Sequence, residues 1–362
     1  MTRSTILTLL VSTIVLSISI SVWWSVDPHR SDFAGLYASA QLWNEGQRPY
    51  DQKLSCEVQR EANVSLCLPS NHPPILLPLI AALANENYLT SYVRWSLFNL
   101  LIVICCALPL HSISEDAVRT FALLCFYPVF VAVRQGQDTS FVLLGVLICL
   151  MFLLNGKDRW AGVALGLTVL RPQLALALGL PLAFSRPKAF RSFCLTGGAL
   201  VLYSLILVGL EGFKDILHII LVTATGADES IHQAQMYNLV AILVKLRINP
   251  AWAWLFFGLA IVGVSLLWRK AGVSMTTFGF AILLALFFSP HLHTHDLSLL
   301  VIPLVLCPSL IVALLSLTFV VASVYNLQQF VIFALFASMA VYFIKRREPI
   351  CDPPSHLLAS FL

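Results

Sequence analysis

Charge is scarce in this chain. Asp, Glu, Lys and Arg make up 11% of its 362 residues, against about 25% in a water-soluble domain. Apolar residues make up 59%, and the mean hydropathy is +0.85. That balance excludes an ordinary soluble enzyme and a basic nucleic-acid binder, and leaves an all-α protein whose helices cross a bilayer many times. Motifs of soluble chemistry are missing too. There is no phosphate-binding GxxxxGK[ST] loop, no GxGxxG, no HExxH and no GxSxG, so nothing indicates nucleotide use, a zinc protease or a serine hydrolase. No CxxC pair or His/Cys metal spacing occurs, and no internal repeat or low-complexity tail is visible.

The charge that is present is unevenly placed. Twelve of the 22 basic residues lie at Arg3, Arg119, Lys157/Arg159, Arg186/Lys188/Arg191, Arg269/Lys270 and Lys345/Arg346/Arg347. With the five acidic residues of the same segments they carry a net +7, and the remaining segments carry −3. The positive-inside rule makes the first set cytoplasmic, with both termini inside. Apolar runs then give spans over about 5–22, 92–110, 117–133, 139–154, 192–210, 250–268 and 273–288, with three more crossings between Leu297 and Ile344. The run 160–184 has basic clusters at both ends and Arg171-Pro172 in its middle, which suits two half-helices forming a hairpin. The total is about twelve helices, with ten as the lower count, in a single domain 1–362. The first run could be a secretory signal, but Ser19-Ile20-Ser21-Val22-Trp23-Trp24 has no clean small-x-small cleavage site, which favours an uncleaved anchor.

Two long segments fall outside in this topology, 23–91 and 211–249. The first carries a helical spacing from Phe33 to Trp43, expected to lie flat on the membrane surface, and a short apolar stretch from Ile75 to Ala84, too short to span. Cys56 and Cys67 fall in it with ten residues between them, where an oxidising compartment permits a disulfide.

Polar motifs from several segments come out on this same side. Ionisable groups at membrane depth are costly and mark sites or pathways. Asp32 is a candidate general base for an acceptor hydroxyl, or the N-cap of the helix it precedes. Arg171 could bind a phosphate at the tip of the hairpin, or simply reach interfacial water. Arg134, Gln137 and Asp138 could recognise a donor phosphate or sugar, or form a polar cap with Asp138 as N-cap. In His291-x-His293-x-His295-Asp296 the alternate spacing suits an extended segment, and His295 is the strongest candidate for contacting a phosphate or acceptor. Asp51, Tyr37, His291 and Asp296 are secondary candidates. No metal and no cofactor is expected.

These pieces together resemble glycosyltransferase family 87, within the GT-C class of polytopic sugar transferases. The resemblance is carried by Asp32-Phe33 with Tyr37, Gly46-x-x-Pro49-Tyr50-Asp51, His72-Pro73-Pro74, Gly136-Gln137, Gly162 through Arg171-Pro172, and Ser289-Pro290 through His295-Asp296. It implies a GT-C-like fold and a polyprenyl-phosphate sugar, usually mannose, as donor. A lipid or glycan acceptor would be used on the extracytoplasmic face of a bacterial plasma membrane by an inverting mechanism. It also implies Asp32 as the catalytic carboxylate and His295 as the important histidine. Arg171 stands where the family more often has Lys, and Asp138 where it commonly has Asn. A transporter or lipid flippase is the main rival, since broken helices and buried charge also mark those proteins. A non-catalytic scaffold of envelope assembly is another.

Overall fold

The computed structural model describes residues 1–25, 27–64, 67–85, 87–225, 233–324 and seven positions between 329 and 341. Every regular element among them is helical. In chain order these are α1 (Arg3–Ser25), α2 (Phe33–Asn44), α3 (Gln52–Glu61), α4 (Leu77–Leu83), α5 (Tyr88–Cys105), α6 (Ala107–Ser114), α7 (Ala117–Leu124), α8 (Tyr127–Arg134) and α9 (Thr139–Leu154). They are followed by α10 (Asp158–Gly166), α11 (Pro172–Ser185), α12 (Pro187–Thr225), α13 (Leu239–Lys245), α14 (Trp252–Ala271), α15 (Met275–Phe288), the single turn α16 (Val301–Leu304) and α17 (Ser309–Val324).

Among the described residues four stretches are long and apolar enough to cross a membrane: Arg3–Ser25, Tyr88–Ser114, Pro187–Val222 and Trp252–Ala271. A fifth is added if α7 and α8, bent by 46° at their junction, count as one. Pro128, in the first turn of α8, has no N–H to continue the ladder across that bend. The long helices turn Ile6, Leu10, Leu97, Leu101, Leu202, Ile206, Leu259 and Leu266 outward, the apolar surface expected of a membrane protein. The other expected spans are shorter helices of 14 to 16 residues, namely α9, α11, α15 and α17. The last of the expected crossings and the basic cluster at Lys345 lie largely outside the described residues.

The anticipated break between half-helices is present. After α10 a 3-10 turn, Leu167–Leu170, leads to Arg171, and α11 starts at Pro172. α10 packs on α9 and α12, and α11 on α14. The stretch expected to end at 210 instead continues as helix to Thr225, broken at Gly209, whose φ of +66° suits glycine.

Two of the three apolar cores among the described residues border the site. The larger joins α7 to α11, α14 and α15 to the fully buried run Leu297–Leu304. The smaller lies in the outer layer and unites Phe33, Leu36 and Tyr37 with Leu77, Ile80, Tyr88, Tyr92 and Trp95. The helix expected from Phe33 to Trp43 is present as α2, and the protein covers it. From Phe33 to Ala40 every residue of α2 is buried. Small side chains let neighbours close in, and a Cβ at Gly35 would meet the Pro69 carbonyl oxygen at 3.0 Å. The end of α12 docks on the segment before α3 through Arg48, whose guanidinium donates to the Asp215 carboxylate at 2.6 to 3.0 Å.

Cys56 and Cys67 form a disulfide, with Cα atoms 5.0 Å apart. Beside it Gln59 clamps the backbone of Leu68, accepting from its N–H at 2.9 Å and donating to its carbonyl at 2.8 Å. The Tyr50 hydroxyl donates to the His72 carbonyl at 3.0 Å. Replacing both cysteines by serine should cost about 3 kcal/mol through the freed loop. Thermal unfolding in detergent reads this, and an unchanged midpoint would show that the bridge restrains nothing.

Candidate functional site

Three helix starts and one 3-10 turn meet at the junction of the two cores. Asp32 stands before α2, Asp138 before α9 and Arg171 before α11, and His293 opens the turn Thr294–Leu300. They enclose a cavity of ≈ 280 Å³ lined by Asp32, His72, Gln137, Arg171 and the three histidines His291, His293 and His295, among others. N-termini of helices carry partial positive charge and free N–H groups, so such a meeting point favours an anion.

Arg171 is the centre of the polar network. It is 5% exposed, while Asp138 and Asp296 are 1% and 0% exposed. Its Nη2 lies 3.1 Å from Asp138 Oδ1, and its Nε lies 3.7 Å from Asp296 Oδ1. Asp138 Oδ2 is 2.9 Å from His72 Nδ1. Arg171 also donates to the Gln137 side-chain oxygen, and Gln137 Nε2 donates to Asp32 Oδ2 at 2.7 Å. Gln137 therefore connects the half-buried Asp32 to the buried cation.

The local sequence explains this placement. Gly136 has φ of +67°, and a Cβ there would lie 2.7 Å from that of Phe33. Only glycine lets the Arg134–Gln137 turn press against the residue that follows Asp32. Trp95 Nε1 donates to the Gly136 carbonyl at 2.7 Å, and the Tyr92 hydroxyl to the Arg134 carbonyl at 2.7 Å, so α5 holds the turn in place. On the opposite wall Asp296 Oδ2 accepts from the His293 N–H at 3.0 Å. Asn238 Nδ2 donates to the Ser289 carbonyl at 2.7 Å, fixing the start of the histidine loop.

Neither Asp32 nor Asp138 caps its helix with its side chain, although both occupy the N-cap position. Their carboxylates face the network instead. The structure thus brings together Asp32, Gln137, Asp138, Arg171, His291, His295 and Asp296. It separates three other candidates from them. Asp51 caps α3 by accepting from the N–H groups of Lys53 and Leu54. Tyr37 faces a different cavity. Arg134 lines a small crevice with Trp23 and Tyr127. In the sequence His72 stands out only within the His72-Pro73-Pro74 motif, with no role in the site. Pro73-Pro74 marked its segment, but its carboxylate partner is 66 positions away. Among the described residues no group of three or more His, Cys, Asp or Glu is arranged to hold a metal.

The site's titrating groups lie in turns outside the long apolar helices. Burial alone would raise the Asp138 carboxyl, but His72 and Arg171 outweigh it and hold the group well below the usual carboxylate range. Burial, with the Arg171 guanidinium beside it, pushes His295 well below its ordinary value. Burial and the neighbouring His293 do the same to His291. Both imidazoles are therefore neutral near pH 7. A group with a lowered folded value is protonated first in the unfolded chain, so acid favours unfolding. Between pH 7 and pH 5 the unfolded histidines charge, with an ordinary value of about 6.5, while the buried ones do not. We expect stability in detergent to fall over that window by on the order of 1 kcal/mol per buried histidine. His295→Gln should flatten the decline, and an unchanged slope in that variant would contradict the assignment.

The sequence model of glycosyltransferase family 87 matches residues 71–292, more than half of the chain. The match contains His72, Gln137, Asp138, Arg171 and His291, starts after Asp32 and stops before His295. No curated protein and no solved structure gives a match. On its sequence, and with a membrane protein's apolar helices, the chain belongs to glycosyltransferase family 87.

Proposed function

We propose that this glycosyltransferase moves a hexose, mannose in the first instance, from a polyprenyl-phosphate donor to a hydroxyl of a lipid or glycan acceptor. The observation that carries the reading is Asp32 on the wall of the same cavity as a buried arginine, with Gln137 joining the two. Asp32 takes the proton of the acceptor hydroxyl as its oxygen attacks the anomeric carbon. The bond from that carbon to the phosphate oxygen breaks, and the lipid phosphate leaves from the opposite face. A single displacement of this kind inverts the anomeric centre.

Charge develops on the departing phosphate, which is where Arg171 and the starts of α9 and α11 would stabilise it. Arg171 Nε, His291 Nδ1 and His295 Nε2 are buried without a hydrogen bond in the protein, and a phosphate oxygen would satisfy such donors. A neutral His295 can donate one hydrogen bond without adding a competing charge. In this reading the fold is GT-C-like with ten to twelve crossings. The shorter helices complete the bundle, both termini are cytoplasmic, and the site opens on the extracytoplasmic side of a bacterial plasma membrane.

The test is transfer of radiolabelled mannose from polyprenyl-phosphate mannose into membrane lipid or glycan. Wild-type membranes are compared with Asp32→Asn membranes at matched expression. Loss of the base should lower turnover by about 10²-fold or more while donor binding persists. Equal transfer by both would remove Asp32 from the reaction. No transfer from mannose, glucose or arabinose donors would remove the donor class.

A further inference from the structure

A second and larger cavity, ≈ 480 Å³, lies in the outer layer. α2 lines it with Tyr37 and Gln41, its C-cap residue Glu45 follows at the same four-residue spacing, and α3 adds Glu61. The start of α5 adds Tyr88, and the turn before α2 adds His29. The floor is aromatic. The His29 and Tyr88 rings stack at 5.1 Å and 27°, and Tyr37 meets Tyr88 edge-on at 5.2 Å.

This floor touches the backbone that carries Asp32. The Tyr88 hydroxyl lies 3.0 Å from Ser31 Oγ and 3.0 Å from the Pro28 carbonyl it donates to. The Phe33 ring lies 5.8 Å from that of Tyr88. The residues on either side of the candidate base thus touch this floor, while Asp32 itself lines the first cavity, and the two cavities differ in chemistry. On one side are Arg171, the histidines and converging helix starts. On the other are two carboxylates, three amides and the edge of a His29–Tyr88–Tyr37 ring cluster.

Carboxylates and amides pair with hydroxyl groups, and apolar ring faces cover the C–H face of a pyranose. The same carboxylates repel phosphates and uronates. The volume is in the range of ligand sites, about 300–1,000 Å³. We propose that this cavity binds the neutral saccharide part of the acceptor and so selects which acceptor reaches Asp32. The role as acceptor site rests on the transferase reading; the affinity for neutral saccharide does not.

The test uses the full chain in lipid nanodiscs prepared without sugar-headed detergent. Saturation-transfer NMR is recorded with α-mannobiose, maltose and a glucuronate-containing disaccharide. The neutral disaccharides should receive saturation and the uronate should not. Glu45→Ala with Glu61→Ala, at two exposed positions, should weaken the neutral signal about tenfold with an unchanged thermal midpoint, and should raise the acceptor KM but not the donor KM. Asp32→Asn should keep the binding, so failure of transfer and failure of this site are read separately. Mannobiose borne on a nanodisc lipid that outcompetes free mannobiose would mark a membrane-anchored acceptor, and equal competition a free glycan. Preference for the uronate, or neutral binding that survives the double substitution, would overturn the proposal.

Discussion

A guanidinium buried between two carboxylates fixes the geometry on which the rest of this site depends. Arg171 precedes α11, Asp138 precedes α9, and Asp296 opens the turn that leads into α16. Desolvating such ions costs several kcal/mol each, and their attraction offsets it only while all of them stay in place. The three segments cannot drift apart without exposing a bare charge to an apolar interior. The constraint then spreads outward. Asp138 holds His72, whose carbonyl is held by Tyr50, and Gln137 holds Asp32. The segment that follows α1 is in this way tied to the centre of the bundle.

That tie gives the candidate carboxylate two different neighbours. Towards the bundle it meets converging helix starts and a cation, which suit a leaving phosphate. On the other side its chain neighbours Ser31 and Phe33 touch the Tyr88 floor of the second cavity, whose carboxylates suit a neutral sugar. A base for group transfer needs this separation, because the leaving group departs on one side as the nucleophile arrives on the other. The disulfide and the Gln59 clamp hold Leu68 to His72, which form one wall of the first cavity.

Much of this was legible from hydropathy and punctuation. The apolar runs located α1, α9, α14 and α15. Arg171-Pro172 located the break, because proline cannot continue a helix and a charge there needs partners. The end expected near 210 for one span falls within a residue of Gly209, where α12 breaks. What could not be read depends on contacts distant in sequence. The pairing of His72 with Asp138 is one such contact. Asp51 and Tyr37 looked like site residues because they follow Asp32 closely. The direction of α2 carries Tyr37 into the second cavity, and Asp51 is consumed as a helix cap. α2 reads as a surface helix by its spacing, yet its small residues allow cover on every side. Span counting was limited by helices of 14 to 16 residues, whose crossing depends on neighbours that length does not report.

The most direct measurement of the central claim is a double-mutant cycle in thermal stability between Arg171→Gln and Asp138→Asn, in detergent at pH 7. If the buried ion pair holds the helix starts together, each single change leaves an uncompensated group and costs about 3–5 kcal/mol. The double variant should then cost less than the two together by at least about 1 kcal/mol. Strict additivity would show that the two residues do not act on one another, and would contradict the account.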